Sequence, residues 1–178
     1  MPHADVQRAT AIHFHMAFGA YIGAECAAHP EETTAYAADM ARWAAEHSGG
    51  GTFLEGLELE AQLYRPVGAL LERFDALICP TVGTRGLVAG DDYVGHGLEV
   101  GGRQVDDYFG SILTPVFNVM SRLPVLAVPS GLADNGVPTG VQIAARSYDD
   151  VTAFRVGAAV EQARPWPVQP PLEAGVAE

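Results

Sequence analysis

The chain has 178 residues, 48% of them apolar and 18% charged, with a formal net charge of −12 at pH 7. That balance fits a soluble globular unit with a real core, and it argues against nucleic acid or an anionic membrane surface as partner, since both are held by clustered basic groups. Cys26 and Cys79 are too few for a disulfide framework. With no signal-peptide core and no unbroken apolar stretch of about twenty residues, reduced thiols and a cytoplasmic location are expected.

In chain order, Asp5 to Glu25 carries Val6, Phe14, Ala17, Phe18, Tyr21 and Ile22 at helical spacing, which predicts one apolar face. His13 and His15, two apart, point to different sides of such a helix and cannot share a metal. A second helix is predicted to begin near Pro30, with Glu31 and Glu32 in its first turn and Tyr36, Met40 and Trp43 inward. Ser48-Gly49-Gly50-Gly51 ends it, and Thr52 with Glu55 forms a capping box for a third. Leu54, Leu57, Ala61, Tyr64 and Leu71 outline the apolar face of that third helix, with a kink or break expected at Pro66.

Ala76 to Cys79 reads as a strand stopped by Pro80. Thr81 to Gly97 is a long loop, punctuated by Gly83, Gly86, Gly90 and Gly95, and it lacks the Lys-Ser/Thr ending of a phosphate cradle. Leu98 to Val105 reads as a short hairpin turning at Gly101-Gly102. Asp106 is placed to cap a helix with Tyr108, Ile112 and Val116 on one face, broken near Pro115. Val125–Val128, between Pro124 and Pro129, and Val141–Ala145 read as two strands covered on both faces and joined at Asn135-Gly136. Ser147 and Asp150 are expected to cap a final helix with Val151, Phe154 and Ala158 inward. Residues 1–164 are read as one α/β domain of about three core strands, a small hairpin and five or so helices, and 165–178 as a proline-rich extended tail.

One stretch carries a resemblance. Asn118, Leu123-Pro124, Val128-Pro129-Ser130-Gly131 and Gly136-Val137-Pro138-Thr139-Gly140-Val141-Gln142 look like the C-terminal signature of the amidase signature family, hydrolases of amide C–N bonds. Phe74 to Thr81 is similar to that family's strand leading to its substrate loop, and Asp149 to Glu161 to its last helix. The resemblance implies a mixed β-sheet wrapped by helices, of which this is the C-terminal part. It also implies an acyl-enzyme mechanism through a Ser-Ser-Lys site in a Gly-Ser-Ser-Gly-like loop, with no cofactor and no metal.

All ten basic residues are Arg, and neither a Lys nor an adjacent pair of serines is present. A serine hydroxyl needs a base within hydrogen-bond reach to attack at neutral pH, so this chain supplies no catalytic group of that type. The resemblance leaves substrate contacts, with Thr81 and Val82 toward an acyl group; Asn118 and Gln142 are read either as structural residues of the motif or as bonding backbone groups near the channel. Serines at 48, 111, 121, 130 and 147 lie outside any Gly-x-Ser-x-Gly elbow. Asp91-Asp92 and Asp106-Asp107 read as solvated turn and cap residues. The expected partner is an N-terminal amidase segment or subunit carrying Ser-Ser-Lys, with a small amide substrate only in the complete enzyme. The competing expectation is a non-catalytic binding or oligomerisation module, for which a second copy of the chain is a compatible partner.

Overall fold

A computed structural model describes residues 3–105 and 108–166. The predicted Asp106 cap, the Asp106-Asp107 pair, the side chain of Tyr108 and most of the proline-rich tail lie outside the described residues.

Four helices come first. Helix α1 (His3–Phe14) runs through a π-helical turn, His15–Gly19, into α2 (Ala20–Ala28). The wider turn shifts the side-chain phase, so the single apolar face expected over Asp5–Glu25 is not formed. Ala9, Ala11 and Ile12 are buried, whereas Phe18 and Tyr21 face outward. Helix α3 (Ala35–Ser48) starts five residues after Pro30, because Thr34 takes the Ala37 N–H on its side chain at 3.2 Å and Pro30 instead sits in the turn that closes α2.

Helix α4 (Phe53–Leu71) has the predicted capping box: Thr52 Oγ1 accepts from Glu55 N at 3.3 Å, and Glu55 accepts from Thr52 N at 2.8 Å. The helix does not break at Pro66. Proline removes one rung of the ladder, but Leu63, Val67 and Leu71 stay buried in one line through it, and that burial holds the helix together. The buried stripe is Gly56, Glu60, Leu63, Val67 and Leu71, which leaves Leu54 and Leu57 on the outside.

Thr52→Ala is expected to cost about 1 kcal/mol in urea unfolding at neutral pH. The Glu55 carboxyl is held below its ordinary range by the Thr52 backbone N–H, and that of Asp149, the cap of the last helix, by hydrogen bonds from Thr152. A lowered folded-state pKa means the stabilisation is present above the unfolded value and is lost as pH falls through the folded one. Stability should therefore drop on acidification below about pH 4, and Glu55→Gln should flatten that limb when unfolding is followed as a pH series.

Among the described residues the strands form two sheets. β1 (Ala76–Pro80), β4 (Val125–Leu132) and β5 (Pro138–Ala145) make an antiparallel sheet ordered β1-β5-β4, and β2 (Leu98–Val100) with β3 (Arg103–Val105) makes the predicted hairpin, turned by Gly101 and Gly102 at φ 57° and 79°. Pro115 opens the short α5 (Pro115–Asn118) and does not break a longer helix, since proline suits the first helical turn. β4 continues past Pro129 with a register shift between Pro129 and Gly131. It is an edge strand among the described residues, so a residue without an N–H leaves no ladder bond unmade on its outer side. The β4–β5 connection is a five-residue loop, residues 133–137, closed by Gly136 N donating to Ala133 O and Ala133 N to Val137 O, both at 2.9 Å. Only Gly136 of the Asn-Gly pair takes a positive φ, 82°; Asn135 instead accepts from Val137 N at 3.2 Å.

Among the described residues only β5 is covered on both faces. Ala144, with Leu77 and Cys79 of β1 beside it, packs on Ala9, Leu63, Val67, Leu71, Phe117 and Met120 from α1, α4 and the α5 region. The opposite face meets α6 (Asp150–Ala163) along Ala153 and Gly157, the latter lying close to Leu126, Val128 and Ile143. Each layer leaves one edge strand bare. Ile78 of β1 is 52% exposed on the α6 side, and Val125 of β4, whose register partner is Ala144, is 40% exposed on the other. Asp149, not Ser147 with Asp150, caps α6 by accepting from Thr152 N at 3.1 Å, and Val151, Phe154 and Ala158 point outward because the smaller Ala153 and Gly157 allow the closer approach.

Candidate functional site

The residues singled out by the sequence gather where β1 leaves the sheet. Gln142 on the central strand is 1% exposed and stands opposite Cys79. Its Nε2 donates to Pro80 O at 2.9 Å, and among the described residues no donor reaches its Oε1. Burial pushes the Cys79 thiol up, and a hydrogen bond from the Gln142 side chain acts the other way. A thiol raised by burial is a poor nucleophile, so Cys79 is a packing residue.

One residue on, Thr81 is sewn to β5: its backbone N and its Oγ1 each donate to Gly140 O at 3.2 Å. Val82, 43% exposed, forms an isolated antiparallel bridge with Ile112, flanked by Leu113 N donating to Thr81 O at 3.0 Å and Gly83 N to Ser111 O at 2.7 Å. Hydrogen bonds thus fix Pro80 and Thr81 to β5, and Val82, next in the chain, presents an apolar side chain to solvent. Asn118 stands apart at the end of α5, exposed, and its side chain makes no hydrogen bond among the described residues.

Three of the five serines have side-chain partners that are structural. Ser48 Oγ donates to Ala45 O at 2.9 Å, Ser130 pairs with Thr139 at 2.9 Å and Ser147 with Tyr64 at 3.2 Å, so none of these three meets a histidine or a carboxylate. His96 Nε2 lies 3.1 Å from Asp91 on the exposed loop. His29, Glu31 and Glu32 bring three potential ligand atoms within 4.8 Å of one another, but all are exposed in one turn, and such a cluster alone makes no metal site. Two clefts of about 350 and 580 Å³ flank Tyr64 and Ser147, and neither is lined by Thr81, Val82, Asn118 or Gln142.

Sequence reasoning missed Arg146, whose Nε donates to Leu71 O at 2.6 Å and closes the end of α4. A cation at a helix C-terminus is a known signal, but here it comes from 75 residues away in the chain. It also missed Cys79 as the cross-strand neighbour of Gln142, which only the register reveals.

A family model for amidases matches residues 28–154, more than half of the chain. The chain belongs to the amidase family. Among curated amidase-family relatives it is 30% identical over 125 residues to a glutamyl-tRNA(Gln) amidotransferase subunit from Granulibacter bethesdensis, covering 68% of this chain and 23% of that protein. The corresponding protein from Thermosynechococcus vestitus is 30% identical over 119 residues, covering 67% and 23%. The chain therefore spans about a quarter of the length of the curated relatives it matches. A crystal structure described as an amidase superposes with a TM-score of 0.72 at 17% identity, covering 89% of this chain and 35% of that one. A bacterial aryl acylamidase of the amidase signature family gives 0.69 at 21%, covering 90% and 34%. At these identities the likeness shows the amidase fold.

Among the described residues no helix is long and apolar enough to cross a membrane.

Proposed function

We propose that this chain is the C-terminal portion of an amidase-type hydrolase of amide C–N bonds, supplying core strands and part of an acyl pocket at Thr81 and Val82. The observation that carries this reading is the sheet covered on diagonally opposite halves. Ile78 and Val125 are apolar, sit in strands, and among the described residues lack a covering layer on opposite faces, which suits a scaffold that further polypeptide completes. The nucleophile and base lie in that further polypeptide, since this sequence contains no Lys. There, acylation of a serine would release the amine, and water would then cleave the acyl-enzyme. Within this chain, Gln142 fixes the Pro80 carbonyl, Thr81 locks to Gly140, and Val82 is left to meet an acyl chain. Relatives named as amidotransferase subunits support an assembly of more than one polypeptide as the working state.

The purified 178-residue chain is expected to show no turnover of simple amides. Co-expression with the N-terminal portion of a relative carrying Ser-Ser-Lys should yield a co-purifying complex with amidase activity. Turnover by the chain alone would overturn the proposal. A stable, inactive homo-oligomer that ignores the N-terminal portion would favour a non-catalytic module.

A further inference from the structure

The loop leaving the Thr81–Val82 unit is held to the far hairpin turn at one place. Arg85 Nη1 lies 2.6 Å from Asp134 Oδ2, and Asn135 Nδ2 donates to the Arg85 carbonyl at 3.2 Å, so both the side chain and the backbone of Arg85 are gripped by consecutive residues of the β4–β5 turn. The next residue, Gly86, runs so close to that turn that a Cβ there would come within 3.1 Å of Val137 Cγ1. Beyond Gly86, among the described residues, the loop's side-chain hydrogen bonds are to its own members: Val88 N to Tyr93 OH at 2.7 Å, Tyr93 N to Asp91 at 2.8 Å, Val94 N to Asp92 at 3.0 Å and His96 to Asp91. The chain rejoins packed structure at Leu98, which is 8% exposed. Residues 87–97 are therefore an internally braced flap, carrying the exposed apolar pair Leu87 and Val88 at 43% and 70%.

We propose that Arg85 and Asp134 form a salt-sensitive latch that sets whether the base of the 87–97 flap, at Arg85 and Gly86, stays held to the β4–β5 turn or swings away from it. The ion pair is exposed on both sides, 73% and 67%, and exposed pairs are weak and screened by salt, so this contact suits reversible opening more than fold stability. The latch stands independently of the amide-hydrolase reading. If that reading holds as well, the latch controls access of the acyl group to Val82, which lies shortly before the flap's tether.

The test is limited proteolysis of the 178-residue chain with chymotrypsin, scoring cleavage after Leu87 and Tyr93. Each rate is divided by that of a free peptide spanning 84–96 in the same buffer. Asp134→Asn and Arg85→Gln are each expected to raise cleavage about three- to fivefold, with the urea midpoint of the whole chain unchanged. Exchanging the charges, Arg85→Asp with Asp134→Arg, should return the rate toward that of the parent. About 0.5 M salt should bring the parent to the variants' rate while leaving the variants where they are. Equal rates in parent and variants, a parent rate insensitive to salt, or cleavage that tracks global unfolding would each overturn the latch. The salt arm needs only the parent chain, so it decides even where a variant folds poorly.

Discussion

Gln142→Glu is expected to cost about 3–5 kcal/mol of folding stability at neutral pH, and much less in acid. At 1% exposure a carboxylate there loses its hydration, and the substitution replaces the Nε2 donor with an oxygen facing the Pro80 carbonyl 2.9 Å away. The protonated acid can donate to that carbonyl, so the new group's folded-state pKa is raised. By linkage, its stability is highest below the unfolded carboxylate range and is lost as pH rises through the folded value. The parent responds oppositely, because the lowered Glu55 and Asp149 carboxyls lose their contribution as pH falls. The quantity to read is therefore the difference between variant and parent in urea unfolding at about pH 4 and about pH 7.5. Gln142→Met is the control: it keeps the volume, removes the Oε1 acceptor along with the donor, and should cost about 1 kcal/mol. A Glu variant that differs from its parent equally at both pH values would contradict the buried, donor-only role given to Gln142.

Leu71→Ala should cost about 2–5 kcal/mol, while Leu70→Ala, one residue earlier, should cost well under 1 kcal/mol. Leu71 is 1% exposed in the cluster that joins α4 to the sheet, with its own carbonyl held by Arg146; Leu70 is 41% exposed. The pair tests whether the helix keeps one buried line through Pro66. Had the helix broken there, the downstream face would be rotated, and the two losses would converge.

What the sequence made legible was local chemistry. Thr52 and Glu55 cap α4 because a hydroxyl, a carboxylate and a spacing of three suffice, and Gly101-Gly102 turns its hairpin because few other pairs accept that backbone. The α/β arrangement, the three core strands and the amidase resemblance followed from Ala76–Cys79 and from the Pro- and Gly-punctuated run through Gln142. The helix faces did not follow. Leu54, Leu57, Val151 and Phe154 are apolar at helical spacing yet point outward, and periodicity alone cannot distinguish a stripe that packs within the chain from one left open. For the same reason β4 read as doubly covered when one side of it is bare. At the site, Thr81, Val82 and Gln142 come together through strand register, and Asn118 does not join them by any hydrogen bond, a distinction no local pattern encodes.

The two rims of the main sheet are not equally guarded. β4 carries Pro129 and an irregular register, both of which spoil templating by another strand, whereas Ala76–Cys79 is, among the described residues, an open edge with proline only at its end. When concentrated without a covering chain, this protein should stick to itself through the Leu77–Ile78 rim, and charge introduced at Ile78 is the change that would keep it in solution.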